Sequence, residues 1–333
     1  MSRTNTEQQS FTTPIERSKE VLRRVSQIYD PNHIILAVSG GTDSVVAADV
    51  MARLGPEFDL TPTAVAHINT GASIPQTELA ARIIADIHDL QFIKQGYRNQ
   101  RNSIGWRVLE QGWPAAYGGH PTELGHGREW ANRKNKPMDA VYMMFDGFEM
   151  WVSGARKLES GKRQGNVPDS GFEEDKPRRV WVQVIGGWTE AEKQRYIKQR
   201  GLPVSESYLL LGFSGECTAC SFDNQGLLTG IDLLAPELSH AIRTVALWLY
   251  QRVKRGDVDL EPKRLCWGWE PDQPMEIDKD ESTAQEMVGC DPESCGSDID
   301  DGWIKELPAN QLVSREDVLE WWDTGDLPTR FPV

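Results

Sequence analysis

The chain has 333 residues, of which 39% are hydrophobic, and its 36 Lys and Arg against 50 Asp and Glu give a formal net charge of −14. That balance argues against a broad basic face for nucleic acid, while the length is enough to bury a sizeable core. No apolar run reaches membrane-spanning length, residues 1–13 are polar, and the five cysteines suit a reducing compartment, so a cytoplasmic enzyme is expected.

Thr13, Pro14 and Glu16 suit the start of a helix running to about residue 29, with apolar Ile15, Val21, Leu22, Val25 and Ile28 at helical spacing. His33-Ile34-Ile35-Leu36-Ala37-Val38 reads as a buried parallel strand. The turn Ser39-Gly40-Gly41-Thr42-Asp43-Ser44 follows, and then an apolar helical pattern over 45–54. A strand, a small-residue turn and a helix present backbone N–H groups and a positive helix end to a phosphate. Gly40 and Gly41 allow close approach, Ser39, Thr42 and Ser44 offer hydroxyls, and Asp43 can hold Mg²⁺ or cap the helix. No lysine closes this turn, so it is not the GxxxxGK[ST] loop.

Residues 61–68 read as a second strand ending in Asn69-Thr70-Gly71, residues 76–90 as a helix and 91–97 as a third strand. The alternation predicts an α/β fold, a doubly wound parallel sheet with sites at the carboxyl ends of its strands. Residues 98–135 are glycine-rich and read as a long irregular connection. Beyond it a helix is expected over 137–148, strands over 149–153 and 180–185, and helices over 189–199, 236–253 and 314–324, with Thr189 and Ser314 as N-caps. Residues 270–301 hold twelve acidic residues against the single Lys279 and read as an exposed linker. The expected division is a nucleotide-binding domain over 1–230 and a helical, acidic extension with extra cysteines over 231–333.

Five segments, taken in order, resemble the phosphoadenosine phosphosulfate (PAPS) reductase superfamily. The loop at 39–44 is similar to the SGGxDS loop of the ATP pyrophosphatases. Asn69-Thr70-Gly71 leading to Pro75-Gln76-Thr77 resembles DTG-x3-PET, and Arg128-Glu129-Trp130-Ala131-Asn132-Arg133 with Lys134, Lys136 and Pro137 resembles RWCTR-x-LK-x-x-P. Gly154-Ala155-Arg156-Lys157-Leu158-Glu159-Ser160-Gly161-Lys162-Arg163 looks like GxRxxESxxR. Trp188-Thr189, Tyr196-Ile197, Leu202-Pro203 and the stretch from Gly212 to Cys217-Thr218-Ala219-Cys220 resemble W-T…YI…LP…GY-x-x-x-GC-x-x-C. The resemblance spans about residues 14–225. It implies that ATP or PAPS/APS binds at residues 39–44, Asn69, Thr70, Gly71, Lys136, Arg156, Ser160 and Arg163. Asp43, Arg156, Glu159 and Arg163 are the implied catalytic set, because arginines can grip phosphate or sulfate bidentately and Glu159 can orient them or accept ribose hydroxyls. It further implies a sulfur donor or reductant protein as partner, a nucleic-acid acceptor in the transfer variants, no membrane and a homo-oligomer.

Cys217-x-x-Cys220 is a soft-metal pair, and Cys290 and Cys295 can complete four ligands, with Cys266 as the other candidate. A [4Fe–4S] cluster comes first, because iron–sulfur forms of the resembled family carry a CxxC here, and zinc second; five free thiols are the bland alternative. Departures from the family pattern are plain. Ala131 stands for a cysteine, Asn69 for an aspartate, and no tandem Cys-Cys occurs. Cys295 is the nearest counterpart of the reductase nucleophile. These losses favour resemblance to the sulfur-activation enzyme of Dnd-type DNA phosphorothioation systems over sulfonucleotide reduction, with tRNA thiolation a third variant. A nucleotide-binding regulatory module without catalysis is the rival from another class. His67 suits an adenine contact or a satisfied core position, and the twelve tryptophans read as core and interface.

Protein purified without oxygen is expected to carry iron or zinc, and Cys217→Ser and Cys220→Ser to lose it. The same variants should render residues 270–301 protease-sensitive, since ligation would order that apolar-poor segment. Wild-type protein carrying neither metal would refute the assignment.

Overall fold

The computed structural model describes residues 13–96, 103–113, 134–159, 167–212, 214–215, 218, 225–260 and 301–331. β1 (His33–Ala37) lies inside a six-stranded sheet because its residues are apolar towards both faces. Ile34 and Leu36 pack into the principal core, whereas Ile35 points into a second cluster on the opposite face. β2 (Ala64–Asn69), β3 (Gln91–Gly96), β4 (Glu149–Val152), β5 (Phe172–Lys176) and β6 (Arg179–Val182) complete the sheet in the order β3-β2-β1-β4-β6-β5. All neighbours pair in parallel except β5 with β6. Ile35 is in register with Ala64 on one side and Trp151 on the other.

Helices cover both faces, as a parallel sheet requires. α1 (Pro14–Ser26), α2 (Thr42–Leu54) and α3 (Pro75–Ile87) pack on the face of Ile34 and Leu36. α4 (Ile104–Gln111) packs away from the sheet, and α5 (Lys136–Tyr142) covers the face of Ile35 and Trp151. α6 (Glu190–Arg200) joins the first face through Tyr196 and Ile197. Chain order runs outward from β1 to β3 and then returns to the other side of β1 at β4. The carboxyl end of β1 is therefore the topological switch point, where open α/β sheets leave a crevice.

Beyond α6 come the short strand β7 (Val204–Ser205), α7 (Ser207–Leu211), α8 (Gln225–Leu234) and α9 (Pro236–Lys254). α8 and α9 share a satellite core with α4, built on Trp113, Ile231 and Leu249. In the last segment, β8 (Leu312–Val313) pairs in parallel with β7, and α10 (Arg315–Thr324) follows the Ser314 cap. Trp303, Ile304, Val313, Val318 and Phe331 enter the principal core. Among the described residues no helix is long and apolar enough to cross a membrane.

The elements expected from the sequence are present with boundaries shifted for local reasons, whereas α4, β5, β7, α7, α8 and β8 lie where none was expected. α1 ends at Ser26, leaving Ile28 62% exposed. β2 begins at Ala64; at Thr63 the N–H donates to the Ile34 carbonyl at 2.7 Å, while the hydroxyl accepts from Ile34 N–H at 3.1 Å. α5 stops at Tyr142 rather than 148, where Gly147 at φ +95° reverses the chain and the Asn32 side chain accepts from Phe148 N–H at 2.7 Å. α4 lies in the stretch read as irregular; Ser103 caps it, but Gly105 in its first turn and Gly112 at its end made the segment read as glycine-rich loop. β5 went unread because Phe172-Glu173-Glu174-Asp175-Lys176 is charged, as suits an exposed antiparallel edge.

One buried charge at the amino end of the sheet carries a pH signature. Glu149 is fully buried, its Oε2 accepts from Trp151 Nε1–H at 2.7 Å, and Oε1 has no partner among the described residues. Burial pushes this carboxyl up to about 7, against the opposing pull of Trp151 and Arg179. A carboxyl raised in the folded state contributes stability present below its unfolded value near 4.5 and lost as pH rises through 7. Glu149→Gln should therefore gain roughly 1–3 kcal/mol on wild type between pH 5 and pH 8 in urea unfolding. A difference that does not change with pH would contradict this.

Candidate functional site

Residues 39–44 form the turn from β1 into α2 and occupy the switch point. Three glycines explain how closely the neighbouring segments approach. Gly40 has φ +89°, and a Cβ there would stand 2.2 Å from the Thr77 carbonyl oxygen, so the turn rests against the start of α3. A Cβ on Gly154, just past β4, would lie 2.5 Å from Asp43 C and Ser44 N. One on Gly41 would meet Tyr208 Oη at 3.3 Å. Inside the turn, Ser44 Oγ donates to the Gly41 carbonyl at 2.8 Å, and Ser39 Oγ lies 3.2 Å from Ser44 Oγ.

The Thr42 hydroxyl faces the protein. Thr42 is buried, its Oγ1 accepts from Lys193 Nζ at 3.0 Å, and its N–H donates to Tyr208 Oη at 3.2 Å. Asp43 joins an ion-pair lattice instead of capping the helix. One of its oxygens pairs with Arg156 Nε, and the other stands 3.4 Å from Lys193 Nζ. Glu190 closes the arrangement at 2.6 Å from Arg156 Nη2 and 2.9 Å from Lys193 Nζ. Arg156 also donates to the Trp188 carbonyl at 3.4 Å. The two cations are 2% and 0% exposed, while both carboxylates are partly exposed. Burial alone would raise the Asp43 carboxyl, but the charges of Lys193 and Arg156 outweigh it and hold the group below the usual carboxylate range. The result is an electrically balanced floor under a turn of backbone amides.

Other expected residues fall nearby or apart. Asn69 ends β2, and its Oδ1 accepts from Gly71 N–H at 2.7 Å, so the asparagine shapes its own turn. Thr70 Oγ1 lies 2.9 Å from Ser73 Oγ. His67 is fully buried with Nδ1 2.9 Å from the Val38 carbonyl, which is the core reading of this residue. Lys136 is exposed at the start of α5. Glu159 ends a short 3₁₀ turn, Lys157–Glu159. Ser160, Arg163, Ala131, Cys217, Cys220, Cys266, Cys290 and Cys295 lie outside the described residues. Among the described residues no group of three or more His, Cys, Asp or Glu could hold a metal ion.

Sequence reasoning missed Lys193, Glu190 and Tyr208. The signal for Lys193 was available: it precedes Tyr196 and Ile197 by three and four positions, so it stands on the buried face of α6. A lysine there needs paired carboxylates, and Glu190 is one turn away.

The model of the phosphoadenosine phosphosulfate reductase domain family matches residues 33–210, more than half of the chain. Similar solved structures include phosphoadenylyl-sulfate (PAPS) reductase from Candida auris in a phosphate complex, at 18% identity and TM-score 0.42, covering 61% of this chain and 86% of that one. Candida glabrata FMN adenylyltransferase, in complex with FAD and inorganic pyrophosphate, matches at 13% identity and TM-score 0.41, over 60% of each chain. The U34-tRNA thiolase NcsA from Methanococcus maripaludis, with its [4Fe–4S] cluster, matches at 12% identity and TM-score 0.40, over 74% of this chain and 82% of that one. A search of curated proteins gives no match.

Arg156→Met keeps an unbranched apolar stem but leaves Asp43 and Glu190 with Lys193 alone. Breaking a buried pair from one side should cost about 3–5 kcal/mol in urea unfolding. A loss below about 1 kcal/mol, the scale of a surface ion pair, would show that the lattice does not hold the turn.

Proposed function

The chain belongs to the phosphoadenosine phosphosulfate reductase domain family, and from that premise we propose that it is an enzyme that binds an adenine nucleotide, ATP or an adenylylated sulfate, for sulfur activation, reduction or transfer. The observation that carries this reading is the turn at 39–44, seated at the switch point above two buried cations. Phosphate oxygens are taken by its backbone N–H groups and by the Ser39 and Ser44 hydroxyls, with the positive end of α2 behind them. Arg156 acts as part of the floor, and Lys136 and Arg163 are assigned as further cations for the nucleotide. Asn69, Thr70 and Gly71, at the adjacent carboxyl end of β2, border the nucleoside side.

In the ATP form of the reading, an acceptor oxygen attacks the α-phosphorus, the bond from it to the bridging α–β oxygen breaks, and pyrophosphate leaves onto the turn. Ala131, where the resembled reductases carry cysteine, favours this form over reduction of a sulfonucleotide. Glu159, Ser160 and Arg163 are assigned to orienting the substrate. Cys217 and Cys220, with Cys290 and Cys295, are assigned to a [4Fe–4S] cluster or zinc, which when bound supplies a soft centre for sulfur chemistry. Cys295 is alternatively the nucleophile. A sulfur donor or reductant protein and a nucleic-acid acceptor are the proposed partners, and a homo-oligomer in the cytoplasm is the proposed state.

Pyrophosphate release from ATP, measured with and without nucleic-acid acceptors, tests the reaction class. Gly41→Val tests the site, because the Cβ would already stand 3.3 Å from Tyr208 Oη and 3.5 Å from Ser214 Cβ, and the two branch methyls must enter the phosphate space or displace that wall. A folded Gly41→Val protein should bind neither ATP nor PAPS. Unchanged affinity for both would overturn the assignment of the turn.

A further inference from the structure

An anion site with a carboxylate in its own loop poses an electrostatic problem. Asp43 stands in the turn, and Glu190 lies within reach of the same two cations. Both carboxylates are partly exposed, and an incoming polyphosphate would meet two like charges. Arg156 can offset one of them. The second positive charge comes from Lys193, delivered by α6 from about 150 residues away in sequence.

We propose that Lys193 is a positioning residue that makes this acidic turn receptive to anions, by neutralising the lattice and fixing Thr42 and Asp43 from below. The inference rests on the reading of residues 39–44 as the nucleotide's phosphate site. Lys193 is 0% exposed, so it acts through Thr42 Oγ1 at 3.0 Å and Asp43 Oδ2 at 3.4 Å without touching the ligand itself. With it, two cations balance two carboxylates. Without it, the floor carries one net negative charge directly under the phosphates. The lysine that the turn lacks in sequence is thus supplied by the fold. An ammonium suits the place, since its three donors match Thr42 Oγ1, Asp43 Oδ2 and Glu190 Oε2, while the planar fork of Arg156 spans Asp43 and Glu190.

A lysine that merely pins α6 to α2 would have the same contacts, and charge separates the two roles. Binding of inorganic pyrophosphate, ATP and adenosine to the full-length protein is measured by calorimetry for wild type, Lys193→Met, Lys193→Arg and the double variant Lys193→Met with Glu190→Gln. The single Met variant should lose roughly tenfold to a hundredfold in affinity for pyrophosphate and ATP, the scale of one charge-assisted contact, and keep its affinity for adenosine. Lys193→Arg should recover part of the loss. The double variant, neutral again with Asp43 facing Arg156, should recover most of it. Equal loss for adenosine and pyrophosphate, or a double variant no better than the single one, would overturn the inference and leave Lys193 a structural pin. Should the single variant fail to fold, the neutral double variant decides: near wild-type pyrophosphate affinity supports the role, and a tenfold or greater loss refutes it. Wild-type protein that binds neither pyrophosphate nor ATP would instead refute the phosphate-site reading, and this inference with it.

Discussion

Two cations with almost no exposure to water sit beneath one turn, and much of the local architecture follows from that. An ammonium and a guanidinium buried together are tolerable only if carboxylates meet them with good geometry. Arg156 and Lys193 meet Asp43 and Glu190, and every pairing except the one-turn contact of Lys193 with Glu190 joins different parts of the chain. Asp43 belongs to the start of α2, Arg156 to the segment leaving β4, and Lys193 and Glu190 to the first turns of α6. The lattice ties these three to the carboxyl end of β1. Gly40 and Gly154 are required for the same reason, since a side chain at either position would strike backbone atoms.

A second network keeps α6 parallel to α2 further along. Asp49 is fully buried within α2 and accepts from Tyr196 Oη at 2.6 Å and from His88 Nε2 at 3.0 Å, with Arg200 Nε at 3.3 Å. Burial opposes ionisation there, yet the donors from His88, Arg200 and Tyr196 hold the carboxyl at about 2. Residues 193 to 200 of α6 therefore follow residues 42 to 53 of α2 in the same direction, anchored at both ends. That anchoring lets Lys193 reach the turn in one fixed position. Tyr208 Oη, from α7, meets Thr42 from another side.

Much of this was legible from sequence. The turn at 39–44, with an apolar strand before it and an apolar helix after it, marked the fold class and the candidate site, because strand, small-residue turn and helix each have a local signature. The capping boxes at Thr189 and Ser314 placed two helix starts. What stayed hidden depends on pairing between distant residues. Arg156 was read as facing a ligand, and its contacts with Asp43 and Glu190, 113 and 34 residues away, have no local trace. Lys193 was the exception, since its place on the buried face of α6 was a readable anomaly. β5 was invisible for the opposite reason: an exposed edge strand needs no hydrophobic pattern.

On the proposed reading, residues 39–44 receive the phosphates of an adenine nucleotide. Amide hydrogen exchange of the full-length protein, with and without ATP, reads this at the backbone groups concerned. Exchange should slow at residues 40–44 and at 154–156, where Gly154 lies against Asp43 and Ser44. Unchanged exchange at both stretches, with protection by ATP appearing elsewhere in the chain, would contradict it.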